Sequence, residues 1–346
     1  MVRFRQCGMA VVAASMLCCA CDRRQLEVTP DEHVRAKITV KWDACFKSRF
    51  GYTPEQTTFM VWDDLGNAPI TRTSFDNSVV MTLDPGTYQL VAFNEIADTY
   101  NEAGLHFYNS ASYERMALRS LTYADEGTSY MYPPKTPGIA VVLDTFQVTR
   151  DMVEGDTVIF VPYEEFRDKG YRFGNEHQRT FELPETPWLM TVDLSVTVKL
   201  KHWQSAKAVN GSISGMADGF YLSRVERTRE TGLLHFDPNN WSRTRYGSEA
   251  DSTGSYTTRI ASYGLPLDKE LISERKNTDN VLRLALTLSN DSVVNCQYNV
   301  GKLLRYSNAE GKETRIRTRR DLQGLQLNLE LPDVINLPVI GTRNNR

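Results

Sequence analysis

The stretch Val192-Asp-Leu-Ser-Val-Thr-Val-Lys-Leu200 alternates apolar and polar residues without a break. Successive side chains of an extended backbone point to opposite faces, so this pattern is that of a β-strand with one side in a core and the other in water. The same period of two returns in Leu282-Arg-Leu-Ala-Leu-Thr-Leu288, with Ala285 as a small residue. It returns again in Leu325-Gln-Leu-Asn-Leu-Glu-Leu331 and in Ile38-Thr-Val-Lys-Trp42. Half-apolar strands belong to antiparallel sheets with one solvated face, whereas buried parallel strands read as continuous apolar runs.

Turn residues separate the strands. Leu83-Asp-Pro-Gly-Thr-Tyr88 reads as a compact turn in which Pro85 presets φ and Gly86 takes the positive φ of a type II turn. A strand over Tyr88–Phe93 follows. Asp63–Pro69 joins the strand Thr58–Trp62 to the next in the same way, and Val158–Tyr163 reads as a further strand. Helical signals are sparse: Trp203–Val209 and Asp268–Lys276 each have room for two turns, the second with Asp268 as its cap. Closely spaced strands with Gly/Pro turns predict an all-β chain built from β-sandwiches. Leu183-Pro-Glu-Thr-Pro-Trp188 places two prolines where a ladder would need donors, which suits a connector between domains.

The N-terminus has a different character. Arg3 and Arg5 precede the apolar run Met9–Leu17, which is long enough for an export signal but too short to cross a hydrocarbon core of about 30 Å. Cys18-Cys19-Ala20-Cys21-Asp22 follows. Lipoprotein processing requires a small residue just before the acceptor cysteine, and Ala20 before Cys21 meets this better than the residues before Cys18 or Cys19. Cys18 stands three residues upstream, where leucine is usual. The expectation is a signal peptide over 1–20, lipidation of Cys21, and a tether over 21–35. An N-terminal sandwich over 36–185 and a C-terminal sandwich over 186–346 complete the organisation. The alternative at the N-terminus is an ordinary secretory signal cut nearby without a lipid.

Cleavage would leave about 326 residues, enough for two domains of ordinary size. Loss of Arg3 and Arg5 takes the formal charge from −3 to −5. With no basic stripe, nucleic acid is not an expected partner. Only Cys45 and Cys296 fall beyond the export segment, as one disulfide or two buried thiols.

No catalytic constellation stands out. His33, His106, His177, His202 and His235 are scattered and none has a zinc-site spacing. Gly211-Ser-Ile-Ser-Gly215 resembles a nucleophile elbow, but Ile213 occupies the nucleophile's place. Glu164 and Glu165 are adjacent, so on a strand they would point to opposite faces. Neither a P-loop nor a dinucleotide-binding glycine motif is present, and no cofactor or metal is expected. Asp237-Pro-Asn-Asn and Asn290-Asp-Ser carry oxygen ligands without a calcium-loop spacing and read as turns. Among the five tryptophans, Trp42 continues an apolar face and reads as core. Trp241, in a polar stretch, is the candidate exposed aromatic for ligand contact.

Taken in order, several segments resemble the fimbrillin-like lipoproteins of Bacteroides-type bacteria. They are Cys21-Asp-Arg-Arg-Gln-Leu26, the first strand ending at Trp42, the Leu83–Asn94 hairpin, the strand from Val192, Ile213–Leu222, and a last strand running through Leu331 towards Pro338. The resemblance implies two transthyretin-like antiparallel sandwiches in tandem. It also implies a place in the cell envelope, on the outer membrane through lipidated Cys21, as an anchor, tip or accessory component of a fimbria-like appendage. Pilins of this type lose their first strand to cleavage after an arginine and accept a donor strand from the next subunit. Here Arg35 precedes the strand read at Ile38–Trp42, and only Arg49 lies between it and the next. That departure points to a non-polymerising relative rather than a shaft subunit. The alternative function is a non-catalytic surface lipoprotein that captures glycans or other ligands; a hydrolase is the weakest reading.

Overall fold

The computed structural model describes residues 33–42, 53–94, 101–134, 139–149, 152, 178–182, 188–189, 191–246, 252–308, 310–314 and 325–339. The predicted signal peptide, Cys21, Cys45, Arg49, His177, the strand read at Val158–Tyr163, Glu164, Glu165 and the Pro184–Pro187 connector lie outside these residues.

Strands dominate the described residues. The first ten are β1 (Val34–Thr39), β2 (Thr57–Asp63), β3 (Ile70–Ser74), β4 (Ser78–Leu83), β5 (Gly86–Asn94), β6 (Leu105–Tyr108), β7 (Ala117–Ser120), β8 (Thr122–Asp125), β9 (Thr128–Met131) and β10 (Ala140–Val148). Next come β11 (Gln178–Glu182), β12 (Trp188–Leu189), β13 (Val192–Lys201), β14 (Ala206–Ala217), β15 (Gly219–Tyr221), β16 (Glu226–Arg227) and β17 (Thr231–Phe236). The chain continues through β18 (Ser242–Tyr246), β19 (Thr253–Ser262), β20 (Val281–Leu288), β21 (Val293–Asn299), β22 (Arg305–Ser307), β23 (Gln326–Glu330) and β24 (Ile335–Asn336). They form five sheets, ordered β11-β1-β4, β12-β10-β5-β2-β3, β18-β19-β13-β23-β22 with β24 also on β13, β21-β20-β14-β17-β9-β8, and β16-β15-β7-β6. The chain is all-β, as its alternating pattern predicts.

Contacts divide the chain into two units. The smaller comprises Met1–Lys37, Val80–Gly86 and Gln147–Phe181 and carries most of the three-stranded sheet. Val34, Ala36, Met81 and Leu83 are buried there, and the His33 ring contacts the Asp84 carboxylate.

The larger unit contains the main sandwich. Leu194, Val196, Val198 and Leu200 of β13 form one inner face with Leu327 and Leu329 of β23; Leu282, Leu284, Leu286 and Leu288 of β20 belong to the same core with Val209, Ile213, Leu234 and Phe236. Every second residue of β13 is buried, so the sequence period and the burial period coincide. A further core gathers Met60, Trp62, Val91 and Phe93 with Leu118, Ala217, Phe220 and Tyr263. The segment 105–131 pairs with strands far along the chain: Phe220 opposes Leu118, and Leu234 opposes Met131.

Several local expectations need correction. β4 and β5 do not form a hairpin, because they belong to different sheets. Gly86 is the first residue of β5 and is not among the glycines with positive φ. β1 begins at Val34 and ends at Thr39, so Arg35 lies within the strand and not before it. Trp42 follows the strand but is buried as read, its Nε1–H donating to Thr57 Oγ1 at 2.6 Å. Trp203–Ser205 is one short 3₁₀ turn instead of two, and β14 takes over at Ala206 because its backbone pairs with β20; the second segment does hold two turns, both short and 3₁₀, Leu267–Lys269 and Ile272–Glu274. Asp268 sits inside its turn, and Pro266 occupies the cap. The sheets are mainly antiparallel, as read; among the described residues β23 and β24 run parallel to β13, and β9 runs parallel to β17.

Candidate functional site

The six-stranded sheet ending in β8 presents a cluster of rings on the face opposite its core. In β17, Leu234 and Phe236 are buried, so His235 between them projects to the other side. Beyond it lie β9 and β8, joined through Glu126 and Gly127, both with positive φ. A two-residue loop of that kind matches the twist of an antiparallel pair and sets Tyr123 directly opposite Tyr130.

The rings touch in series. Tyr130 stacks on His235 with centroids 4.8 Å apart and planes 29° apart. Tyr123 lies 5.8 Å from Tyr130 and 4.8 Å from Tyr132, centroid to centroid. Tyr132 stays more than a third exposed, at 37%. Hydrogen bonds hold the imidazole in place. The Gly211 N–H donates to Asn210 Oδ1 at 2.7 Å, which fixes the orientation of that amide. The same oxygen lies 2.7 Å from His235 Nε2, so Nε2 carries the proton, and Nδ1 accepts from the Tyr123 hydroxyl at 3.2 Å. Burial pushes the Tyr123 phenol above its usual range, and the nearby Asp125 and Asp237 carboxylates push it the same way. The exposed Asp237 lies just beyond β17; its Oδ1 accepts from the Asn239 backbone N–H at 2.8 Å. This confirms the turn read at Asp237–Asn240. The other predicted turn is also present, with Asn290 Oδ1 accepting from the Ser292 backbone N–H at 3.1 Å.

Trp241 sits differently from the place read for it. It is half-buried and packs against the sandwich core, edge-on to Phe236 at 5.9 Å. Its buried indole N–H has no hydrogen-bond partner among the described residues. The ring cluster of Tyr123, Tyr130, Tyr132 and His235 went unread in the sequence. The Tyr130-x-Tyr132 spacing and the Glu-Gly hairpin were legible signals, but the joining of His235 depends on a pairing across about a hundred residues.

Elsewhere, polar groups serve the framework. His202 Nδ1 lies 3.0 Å from Ser252 Oγ, and Gly211–Gly215 lies within β14. The Arg227 guanidinium, 4% exposed, pairs with Glu270 at 2.7 Å and donates to the Tyr263 carbonyl. Arg119 contacts Asp218 through Nε at 3.1 Å, and Thr228 Oγ1 donates to the other oxygen of that carboxylate at 2.7 Å. Cys296 is a free thiol. Among the described residues, no group of three His, Cys, Asp or Glu is placed to hold a metal ion, and no helix is long and apolar enough to cross a membrane.

Two strands bear on assembly. β1 lies between β11 and β4, and β23 lies between β13 and β22, so each is paired on both sides. By contrast, among the described residues β21 is the end strand of its sheet, and its sequence, Val-Val-Asn-Cys-Gln-Tyr-Asn, holds no charge and no proline.

No family model and no curated protein sequence matches this chain. Solved structures do. A proposed adhesin from Bacteroides ovatus superimposes with a TM-score of 0.51 at 16% identity, over 90% of this chain and 94% of that one. Proposed polysaccharide-binding proteins from Bacteroides thetaiotaomicron give 0.45 at 14% identity, over 86% and 90%. The fimbrial anchor protein Mfa2 from Porphyromonas gingivalis gives 0.41 at 9% identity, over 78% and 82%. This chain shares its fold over nearly its whole length with the Bacteroides ovatus protein.

Proposed function

We propose that this chain is a lipid-anchored, fimbrillin-like protein of the cell envelope, held on the outer membrane by Cys21, that serves as an anchor, tip or accessory component of a fimbria-like appendage in adhesion or assembly. The observation that carries the non-polymerising part is the double pairing of β1 and β23. A shaft subunit must release a strand to open its groove, and here both β1 and β23 are internal to their sheets. Arg35 lies inside β1, where backbone hydrogen bonds and burial of its neighbours Val34 and Ala36 hinder cleavage. Contact with another subunit would then use an edge already open. β21 is such an edge, because it lacks the lysines, prolines and bulges that usually blunt end strands. The chain acts in this reading by binding and not by catalysis. The adhesin and fimbrial names of the proteins with similar structures accord with it.

Labelling with a radioactive fatty acid, followed by membrane fractionation, tests the anchor. The wild type should carry label and sediment with the outer membrane, and Cys21→Ala should lose both. Shearing appendages from the cells then tests the assembly role, since the protein should co-purify with their base or tip and not along the shaft. Label that persists in Cys21→Ala, or protein distributed along the whole shaft, would reverse the corresponding part of the proposal.

A further inference from the structure

We infer that the face formed by Tyr123, Tyr130, Tyr132, His235, Asn210 and Asp237 is a binding platform for a neutral pyranose sugar. The inference rests on the adhesive reading above and names what such a protein would hold. Three observations carry it. The first is that the rings have no packing duty in the core: Met131, Leu234 and Phe236 on the same strands already fill it, and the tyrosines stand on the other face. A series of touching rings, tilted 29° to 49° to one another and with Tyr132 37% exposed, offers apolar ring surface that suits the C–H-bearing face of a pyranose. Tyrosine offers that surface at a low entropic cost, since only two side-chain torsions need be fixed.

The second is the set of polar groups at the rim. With Asn210 Oδ1 engaged by Gly211 and His235, the amide Nδ2 of this exposed residue is left to donate. Asp237 Oδ1 is used by the Asn239 backbone and side chain, which leaves Oδ2 to accept. The hydroxyls of Tyr130 and Tyr132 have no hydrogen-bond partner among the described residues. Donors and acceptors at fixed places around an aromatic floor are what sugar hydroxyls require. The imidazole beneath them is fixed at both nitrogens, so the floor is organised before any ligand arrives.

The third is charge. The exposed carboxylates of Asp125 and Asp237 lie near enough to Tyr123 to add to the effect of burial on its phenol. A sialylated or sulfated sugar would meet that negative field, whereas a neutral one would not.

The test uses the purified full-length protein in detergent. Methyl α-mannoside, methyl β-galactoside, methyl β-N-acetylglucosaminide, sialyllactose and a heparin disaccharide are each titrated by saturation-transfer NMR and calorimetry. At least one neutral glycoside should receive saturation on the protons of one ring face, and neither acidic sugar should bind more tightly. Tyr130→Ala and Tyr132→Ala should each weaken binding about tenfold, the loss of roughly one ring contact. Tyr130→Phe should keep most of it, which separates loss of the ring from loss of the fold. Tyr108→Ala, an exposed tyrosine on β6, should leave binding unchanged. Failure of all neutral sugars to bind, preference for the acidic ones, or binding that survives both alanine variants would each overturn the inference. Whole-cell adhesion is measured separately. If cells adhere through the protein but it binds no sugar, this inference falls and the adhesive reading stands. If the protein binds sugar but its deletion leaves adhesion intact, the adhesive reading falls and the platform remains.

Discussion

Replacing Glu270 by alanine should destabilise the protein far more than removing both members of its ion pair. The Arg227 side chain is 4% exposed and that of Glu270 is 11%, and Nη1 meets Oε1 at 2.7 Å. With Glu270 gone, the guanidinium keeps the Tyr263 carbonyl but has no buried countercharge. Breaking a buried pair in this way costs about 3–5 kcal/mol, whereas exchange of both partners for apolar groups of similar volume is often neutral or better. Glu270→Ala should therefore lie about 3–5 kcal/mol below wild type, and Arg227→Met combined with Glu270→Leu within about 1 kcal/mol of it. In urea unfolding followed by tryptophan fluorescence, with a slope of about 3 kcal/mol/M, the single variant should unfold about 1–1.7 M earlier. Arg227→Met alone and Glu270→Leu alone complete the double-variant cycle. If the two single changes simply add, or if Glu270→Ala costs less than about 1 kcal/mol, water reaches the pair and the assignment of burial is wrong.

Three further outcomes follow from named contacts. Leu327→Ala removes a fully buried side chain from β23 between two strands and should cost about 2–5 kcal/mol in thermal unfolding; a loss well under that range would show that β23 is only loosely docked. Gly215 has φ of +76° and a Cβ there would lie 2.0 Å from the Asp279 carbonyl, so Gly215→Ala should cost several-fold more than Gly127→Ala, where φ is +80° but nothing lies within 4 Å. Equal losses in the two variants would mean that the close approach relaxes freely. Burial, followed by the neighbouring Cys296, pushes the Tyr298 phenol up to about 12. Its folded value lies above its unfolded one, so its contribution is intact below about pH 10 and is lost as pH rises from there towards 12. Tyr298→Phe should flatten the alkaline limb of the stability profile in that window, and an unchanged limb would assign the effect to other groups.

Alternation along a single strand is a local property, and the chain wrote it clearly. Val192–Leu200, Leu282–Leu288 and Leu325–Leu331 showed which residues face the core before any partner was known, because the pleat ties sequence parity to face. The same physics made Trp42 core and the chain all-β. Parity does not say which strand lies alongside. The parallel entry of β23 beside β13, the placing of β4 and β5 in different sheets, and the pairing of 105–131 with 219–236 are choices among distant backbone partners, settled by the joint packing of whole faces. The ring cluster belongs to that second kind of information. Tyr123 and Tyr130 could be paired from their hairpin alone, but His235 comes from β17, which pairs with β9 across the sheet, and Asn210 from β14 on the far side of β17. Local sequence thus determined the faces, while long-range hydrogen bonding decided the neighbours, and the platform exists only where the two combine.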